Sequence, residues 1–221
     1  IVVFDTSQGQ IKVNLFDQTT PETVENFLTY VNNGDYTNTV IHRGVPSFVL
    51  QGGGYTFEGD FPLTPITTNT AVINEPVWSN QRGTIAMAKQ AEKPNSATSQ
   101  WFFNVVNNTN LDATNGGFTV FGQVIEEGMA VVDNILQLSR CSSIPMIDYD
   151  CQTGDTPGSE NFVILYNITI IDTTLDTAST LNPIANTADN NDDEPSSSGG
   201  SSNYFYLLLL SLVFKLRTKQ C

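Results

Sequence analysis

Positive charge is scarce in this chain. Nine of its 221 residues are Lys or Arg, against 23 Asp or Glu, for a formal net charge of −14. Three of the nine, Lys215, Arg217 and Lys219, stand at the extreme C-terminus. A surface that tracks phosphates needs clustered cations, so the composition argues against nucleic acid as a partner. The acidic excess serves solubility instead. Histidine occurs once, as His42. A Ser-His-Asp or paired-carboxylate hydrolase is therefore hard to assemble. The three cysteines form no CxxC and no Cys/His cluster, so neither a structural zinc nor another metal is expected, and no cofactor. No apolar run approaches the roughly twenty residues that span a bilayer. No signal peptide is visible ahead of Ile1, which falls inside an expected strand.

Thr, Asn, Gly and Val are abundant, a composition that favours strands. Ile1–Thr6 and Ile11–Phe16 alternate apolar and polar residues around Ser7-Gln8-Gly9-Gln10 and predict a hairpin. A helix follows, with Thr20 as N-cap, Pro21 at its first position, Val24, Phe27, Leu28 and Val31 on one face, and Gly34 at its end. Short strands are expected at Thr39–Arg43, Phe48–Gln51, Thr84–Ala88, Trp101–Val106 and Val120–Ile125. A second helix is expected over Gly128–Leu138. The nearly continuous apolar run Phe162–Ile171 predicts a central, buried strand. Many short strands with two helices predict a mainly β fold: a closed antiparallel β-barrel capped by two α-helices. Cys141 and Cys151 share one loop, and the spacing admits a disulfide or two free thiols.

Composition changes after Asp172. Residues 176–202 carry five acids, no bases and almost no large apolar side chain, which predicts a disordered linker. Residues 203–221 form a third segment: the apolar run Tyr204–Phe214 followed by a basic end. Behind Ser197-Ser198-Gly199-Gly200, this order resembles the C-terminal sorting signals of Gram-negative bacteria, which a membrane protease cuts near the Gly pair. The basic end suits the cytoplasmic side. A short permanent anchor is the alternative. The expectation is an exported protein of the periplasm or cell surface, whose tail engages the membrane and a sorting protease.

The chemistry is concentrated in four blocks. Ile41-His42-Arg43-Gly44-Val45-Pro46-Ser47-Phe48-Val49-Leu50-Gln51 precedes Gly52-Gly53. Gly83-Thr84-Ile85-Ala86-Met87-Ala88 comes next, then Asn95-Ser96-Ala97-Thr98-Ser99-Gln100-Trp101-Phe102-Phe103. Phe118-Thr119-Val120-Phe121-Gly122-Gln123-Val124 is last, with Glu127-Gly128-Met129 behind it. In this order they resemble the cyclophilin-type peptidyl-prolyl cis-trans isomerases over residues 1–175, and Asn95–Gln100 resembles the bacterial branch in particular.

Rotation about a peptide bond faces a barrier of about 18–20 kcal/mol, because amide resonance must be broken. Unaided, an X-Pro bond isomerises in roughly tens to hundreds of seconds. A catalyst needs no nucleophile. It must hold the proline ring and favour the twisted amide over the planar one. Twisting localises a lone pair on the prolyl nitrogen, to which a fixed guanidinium can donate. The resemblance implies Arg43 in that role, assisted by Gln51. It also implies Phe48, Val49, Phe102, Leu111 and Phe118 as the proline-binding surface. Gln100 would bond the substrate through its side chain, and Ala88 and Lys89 through main chain. His42 would lie beside the site. Phe121 and Trp101 are expected to point into the barrel. Asn110 stands where animal relatives carry a cyclosporin-contacting Trp, so weak cyclosporin binding is expected. The implied substrates are proline-containing polypeptides, and the implied state is a monomer active in protein folding. A non-catalytic, surface-tethered proline-binding module is the competing reading.

Overall fold

The computed structural model describes residues 1–188. Strands β1 (Val2–Thr6) and β2 (Gly9–Leu15) form the expected hairpin, and α1 (Pro21–Asn33) follows. Thr20 does occupy the N-cap position, but its hydroxyl bonds back to the Phe16 carbonyl. The free N–H groups of the first turn are met by a distant carboxylate: Glu75 accepts from Thr23 N at 2.9 Å and Glu22 N at 3.3 Å. Gly34 closes the helix at φ 75°, a left-handed conformation that glycine adopts without strain.

Next come β3 (Thr39–Val40), β4 (Arg43–Val45), β5 (Val49–Gly52), β6 (Tyr55–Thr56), β7 (Thr64–Pro65), β8 (Thr84–Met87), β9 (Trp101–Asn104) and β10 (Val120–Ile125). The chain continues through α2 (Gly128–Gln137), β11 (Ser139–Cys141), β12 (Ile144–Met146) and β13 (Ile164–Ile170). The single expected strand Thr39–Arg43 is thus two strands in different parts of the sheet.

Eleven strands make one sheet in the order β4-β5-β9-β8-β10-β2-β1-β13-β3-β6-β7. The sheet curls but its end strands do not pair, so it is a curled half-barrel and not the closed barrel expected. Both ends are unsuited to closure. β7 has two residues and ends in Pro65, which has no N–H to donate. β4 is covered by the β11–β12 hairpin, with Gly44 N donating to Ser143 O at 2.6 Å. Cys141 and Cys151 in that region are joined by a disulfide across a Cα–Cα distance of 5.6 Å.

The main core fills the concave side of the sheet. Phe4, Phe27, Trp101, Phe103 and Phe121 interlock there at centroid distances of 5.0–5.9 Å. Trp101 and Phe121 therefore point inward as expected. β13 is a correction. It pairs with β1 and β3, but Tyr166 is about half exposed, at 47%, and Asn167 and Thr169 are exposed as well. Only one of its faces is buried, as in antiparallel sheets with one wet side.

Residues 176–188 depart from the expected linker. Thr177–Thr180 form a 3-10 turn, Ala178 is buried, and Ala185 bridges to Trp78. Small and apolar residues here find a ready-made surface, a match that composition alone does not reveal. The remainder of that linker, and the hydrophobic-basic segment, lie outside the described residues.

The Gly52–Gly53 pair exists because of Trp101. A Cβ on Gly52 would lie 2.7 Å from the Trp101 ring. One on Gly53, which sits at φ 75°, would lie 2.5 Å from Trp101 Nε1 and 2.8 Å from the Ser99 carbonyl. Gly53→Ala is accordingly expected to destabilise the fold by roughly 1–3 kcal/mol, through overlap and left-handed strain together. A lowered urea midpoint with an unchanged m-value would register it.

Candidate active site

Strand alternation decides which side chains leave the core. In β9 Trp101 and Phe103 point inward, so Phe102 must point out. In β5 Leu50 is inward, and Val49 and Gln51 face the other side. In β8 Ile85 and Met87 are inward and Ala86 outward. Cross-strand register then aligns the outward set. Arg43 pairs with Gln51, Gln51 with Phe102, Phe102 with Ala86, and Ala86 with Val120. One row across five strands runs from a guanidinium to an apolar patch.

The polar end of that row is a hydrogen-bonded chain. Arg43 Nη1 donates to Gln51 Oε1 at 3.2 Å, and Gln51 Nε2 donates to Gln100 Oε1 at 2.8 Å. The Arg43 guanidinium also lies 5.6 Å from the Phe48 ring centroid, within cation-π range. Burial lowers its pKa below the ordinary value, but Arg remains charged throughout the neutral range.

The apolar end is a cluster separate from the core. Val49, Ala86, Phe102, Leu111, Phe118 and Val120 are buried in it, with Phe48 and Ala88 packed at its edge. Phe102 and Phe118 meet edge to face at 5.9 Å. A separate groove, lined by Phe16, Trp78, Ala178 and Pro183 among others, contains none of the expected site residues.

Lys89 has a side-chain role besides the main-chain one expected. Its backbone N–H and C=O make no hydrogen bond among the described residues, as a main-chain role requires. Its side chain is also engaged. The ammonium is buried, donates to Asn115 O at 2.8 Å and Gly117 O at 2.5 Å, and sits 4.8 Å from the Phe118 centroid. Desolvation lowers its pKa to about 8. The Ala88 N–H donates to Gln100 O at 2.9 Å, so of its two main-chain groups the carbonyl is the one left for a substrate chain.

His42 stacks edge-on against Tyr55 at 4.8 Å, and its buried Nδ1 has no hydrogen-bond partner among the described residues. Burial pushes its pKa down to about 4. The Arg43 charge adds to that lowering, and bonding to Val40 and Gln100 opposes it. It is a neutral imidazole at physiological pH.

A buried network that sequence reasoning missed ties the two sides of the patch together. Asn108 Nδ2 donates to Phe48 O and to Asn104 Oδ1, both at 2.8 Å. Asn104 donates to Asn80, whose amide donates to Asp112 Oδ1 and to Phe118 O. Asp112 also accepts from Asn80 N at 2.7 Å and from the Ser79 hydroxyl. The only cue in the sequence was Asn in Asn-rich loops, which usually signals a turn.

Comparison with known proteins settles the family. The family description "Cyclophilin type peptidyl-prolyl cis-trans isomerase/CLD" matches residues 1–173. The chain belongs to the cyclophilin family. Peptidyl-prolyl cis-trans isomerase A of Dickeya dadantii is 44% identical over 141 residues, which are 62% of this chain and 71% of that protein. Peptidyl-prolyl cis-trans isomerase B of Escherichia coli is 40% identical over 142 residues, 61% and 83% of the two chains. Among solved structures, a Cryptosporidium parvum cyclophilin with the dipeptide Ala-Pro present superposes with a TM-score of 0.58 at 24% identity. That match covers 77% of this chain and 98% of the other, and it shows the cyclophilin fold. This cyclophilin is an enzyme, a peptidyl-prolyl cis-trans isomerase, and the non-catalytic alternative gives way to that assignment.

The two shifted pKa values give opposite pH windows. His42 titrates near 4 when folded and near 6.5 when unfolded. Between those values the unfolded chain binds the extra proton, so stability falls as pH drops from 6.5 to 4. Lys89 titrates near 8 when folded against 10.5, so its contribution to stability rises as pH climbs between those values. Urea titrations at a series of pH values should show the acid slope diminished in His42→Gln and the alkaline slope diminished in Lys89→Met.

Proposed function

We propose that this cyclophilin isomerises X-Pro bonds by seating the proline ring on the Phe48–Val49–Phe102–Leu111–Phe118 surface while Arg43 stabilises the twisted amide. The observation that carries this reading is the row in which Arg43, Gln51 and Phe102 stand opposite one another on β4, β5 and β9. A proline ring against Phe102 puts its nitrogen on the guanidinium side. As the bond twists, amide conjugation is lost and the nitrogen lone pair becomes an acceptor. Arg43 then donates to it, or to the displaced carbonyl. Gln51 takes one Arg43 N–H and leaves others for the substrate. Because the guanidinium is held and partly dry beforehand, little reorganisation accompanies the twist, which favours the transition state over either planar ground state. Gln100, bonded through Gln51, and the main chain of Lys89 bind the substrate backbone. His42 stays neutral and keeps the Arg43 side packed.

The substrates proposed are proline-containing segments of proteins that fold outside the cytoplasm. The Cys141–Cys151 disulfide supports an oxidising compartment, and the acidic balance supports a soluble catalytic domain. The enzyme is proposed to act as a monomer of the bacterial branch, exported and held at or released from the surface through its C-terminal segment. Asn110 is exposed and polar at the rim of the site, which favours weak cyclosporin binding.

Turnover tests the mechanism. The full-length protein should accelerate cis-to-trans isomerisation of a short Ala-Pro peptide in a protease-coupled assay. Arg43→Ala should lower kcat/KM roughly a hundredfold, the usual cost of removing one preorganised donor. A folded Arg43→Ala variant with wild-type kcat/KM would remove Arg43 from the mechanism.

A further inference from the structure

The segment beyond the family match is built into the back of the proline-binding surface. Ala178 and Leu181 pack in the same cluster as Phe102, Leu111 and Phe118. Further along, the chain runs beside residues 77–79. Ser79 N donates to Ile184 O at 2.8 Å, and Asn186 N donates to Val77 O at 2.9 Å. Thr177 is tied to Asn14 through their side chains at 2.7 Å, so the segment is fixed at both ends.

Asn186 is the point where it meets the site. Its side-chain amide donates to Asp112 O at 2.9 Å and to Pro76 O at 3.1 Å. Asp112 follows Leu111 directly. The same amide nitrogen lies against Gly117, where an added Cβ would come within 3.3 Å of it. Gly117 precedes Phe118. One side chain from outside the matched region therefore touches the backbone next to both Leu111 and Phe118. These two residues already bond to each other, Phe118 N donating to Leu111 O at 3.1 Å. Lys89 holds the loop from the opposite side through the carbonyls of Asn115 and Gly117.

We propose that residues 176–188 are a strap that completes the substrate-binding surface, with Asn186 as the positioning residue that sets Leu111 and Phe118 against the proline ring. Asn186 reaches no substrate. It acts through the backbone of the 112–117 loop. The geometry specifies a donor: both partners of the side-chain amide nitrogen are carbonyl oxygens, while Oδ1 accepts from Ala188 N at 2.8 Å. A carboxylate of the same shape would keep the Ala188 bond but set an acceptor against both the Asp112 and Pro76 carbonyls.

This inference rests on the proline-surface reading above, and the experiment separates the two. Steady-state isomerisation of an Ala-Pro peptide is measured with full-length Asn186→Ala, Asn186→Asp, Leu111→Ala and Phe118→Ala, at a temperature where circular dichroism shows each folded. Asn186→Ala should raise KM roughly three- to tenfold, the size expected for two lost hydrogen bonds, with kcat within about twofold. Asn186→Asp should raise KM further than Ala, despite its isosteric shape. A space-filling role would instead leave Asp close to wild type. Amide hydrogen exchange at residues 112–118 should accelerate in both Asn186 variants, a readout that does not need turnover. If Leu111→Ala and Phe118→Ala raise KM but both Asn186 variants match wild type, the strap proposal is overturned and the surface reading stands. If none of the four changes KM, the surface reading fails and the strap proposal with it. Equal losses from Asp and Ala, falling on kcat, would also overturn the positioning role.

Discussion

Arg43 keeps a permanent charge in a place with little water, and much of the surface around it follows from that constraint. A half-buried guanidinium must have its N–H groups occupied and its flat faces covered. Gln51 accepts from one edge, and the Phe48 ring covers a face. Gln51 is in turn held by Gln100. No acid takes part. A carboxylate partner would fix the guanidinium more strongly but would compete with a developing lone pair for its donors. Neutral amides hold the group while leaving its field available to the reacting bond.

The same economy extends beneath the apolar end. The chain needs Phe102 and Phe118 in fixed orientation on loops and a short strand. It achieves this with buried asparagines rather than with more apolar bulk. Asn80, Asn104, Asn108 and Asp112 link the Phe48 carbonyl to the Phe118 carbonyl through donors and acceptors that satisfy one another. Such a network is specific because every partly satisfied alternative leaves a buried polar group unmet. Lys89 adds a cation over Phe118, donating to two loop carbonyls, and its burial is why its proton is held loosely.

The resemblance put Phe102 on the binding surface and Trp101 in the core, and the period-two alternation of β9 is the physical reason both hold. The resemblance also implied Arg43 and Gln51 in one site, and the antiparallel β4–β5 pair sets them opposite each other. What escaped was long-range. Glu75 caps α1 from 53 residues away. The Lys89 side chain was overlooked because its main chain explained its position. β13 carries apolar residues on both faces yet buries one. Residues 176–188 read as linker because Ala, Thr and Asn announce no element. They are ordered by what they meet, chiefly Trp78, Asn14 and Asp112. The closed barrel failed for a similar reason: edge length and the β11–β12 cover are properties of the assembled sheet.

The central claim is that Arg43 acts on the twisted amide and not on substrate affinity. NMR exchange on a saturated Ala-Pro peptide measures the on-enzyme cis-trans rate and Kd separately. With Arg43→Lys, which keeps the charge but loses the planar fork, Kd should stay within about threefold while the on-enzyme rate falls at least roughly tenfold. An unchanged on-enzyme rate, or a loss confined to Kd, would contradict the account.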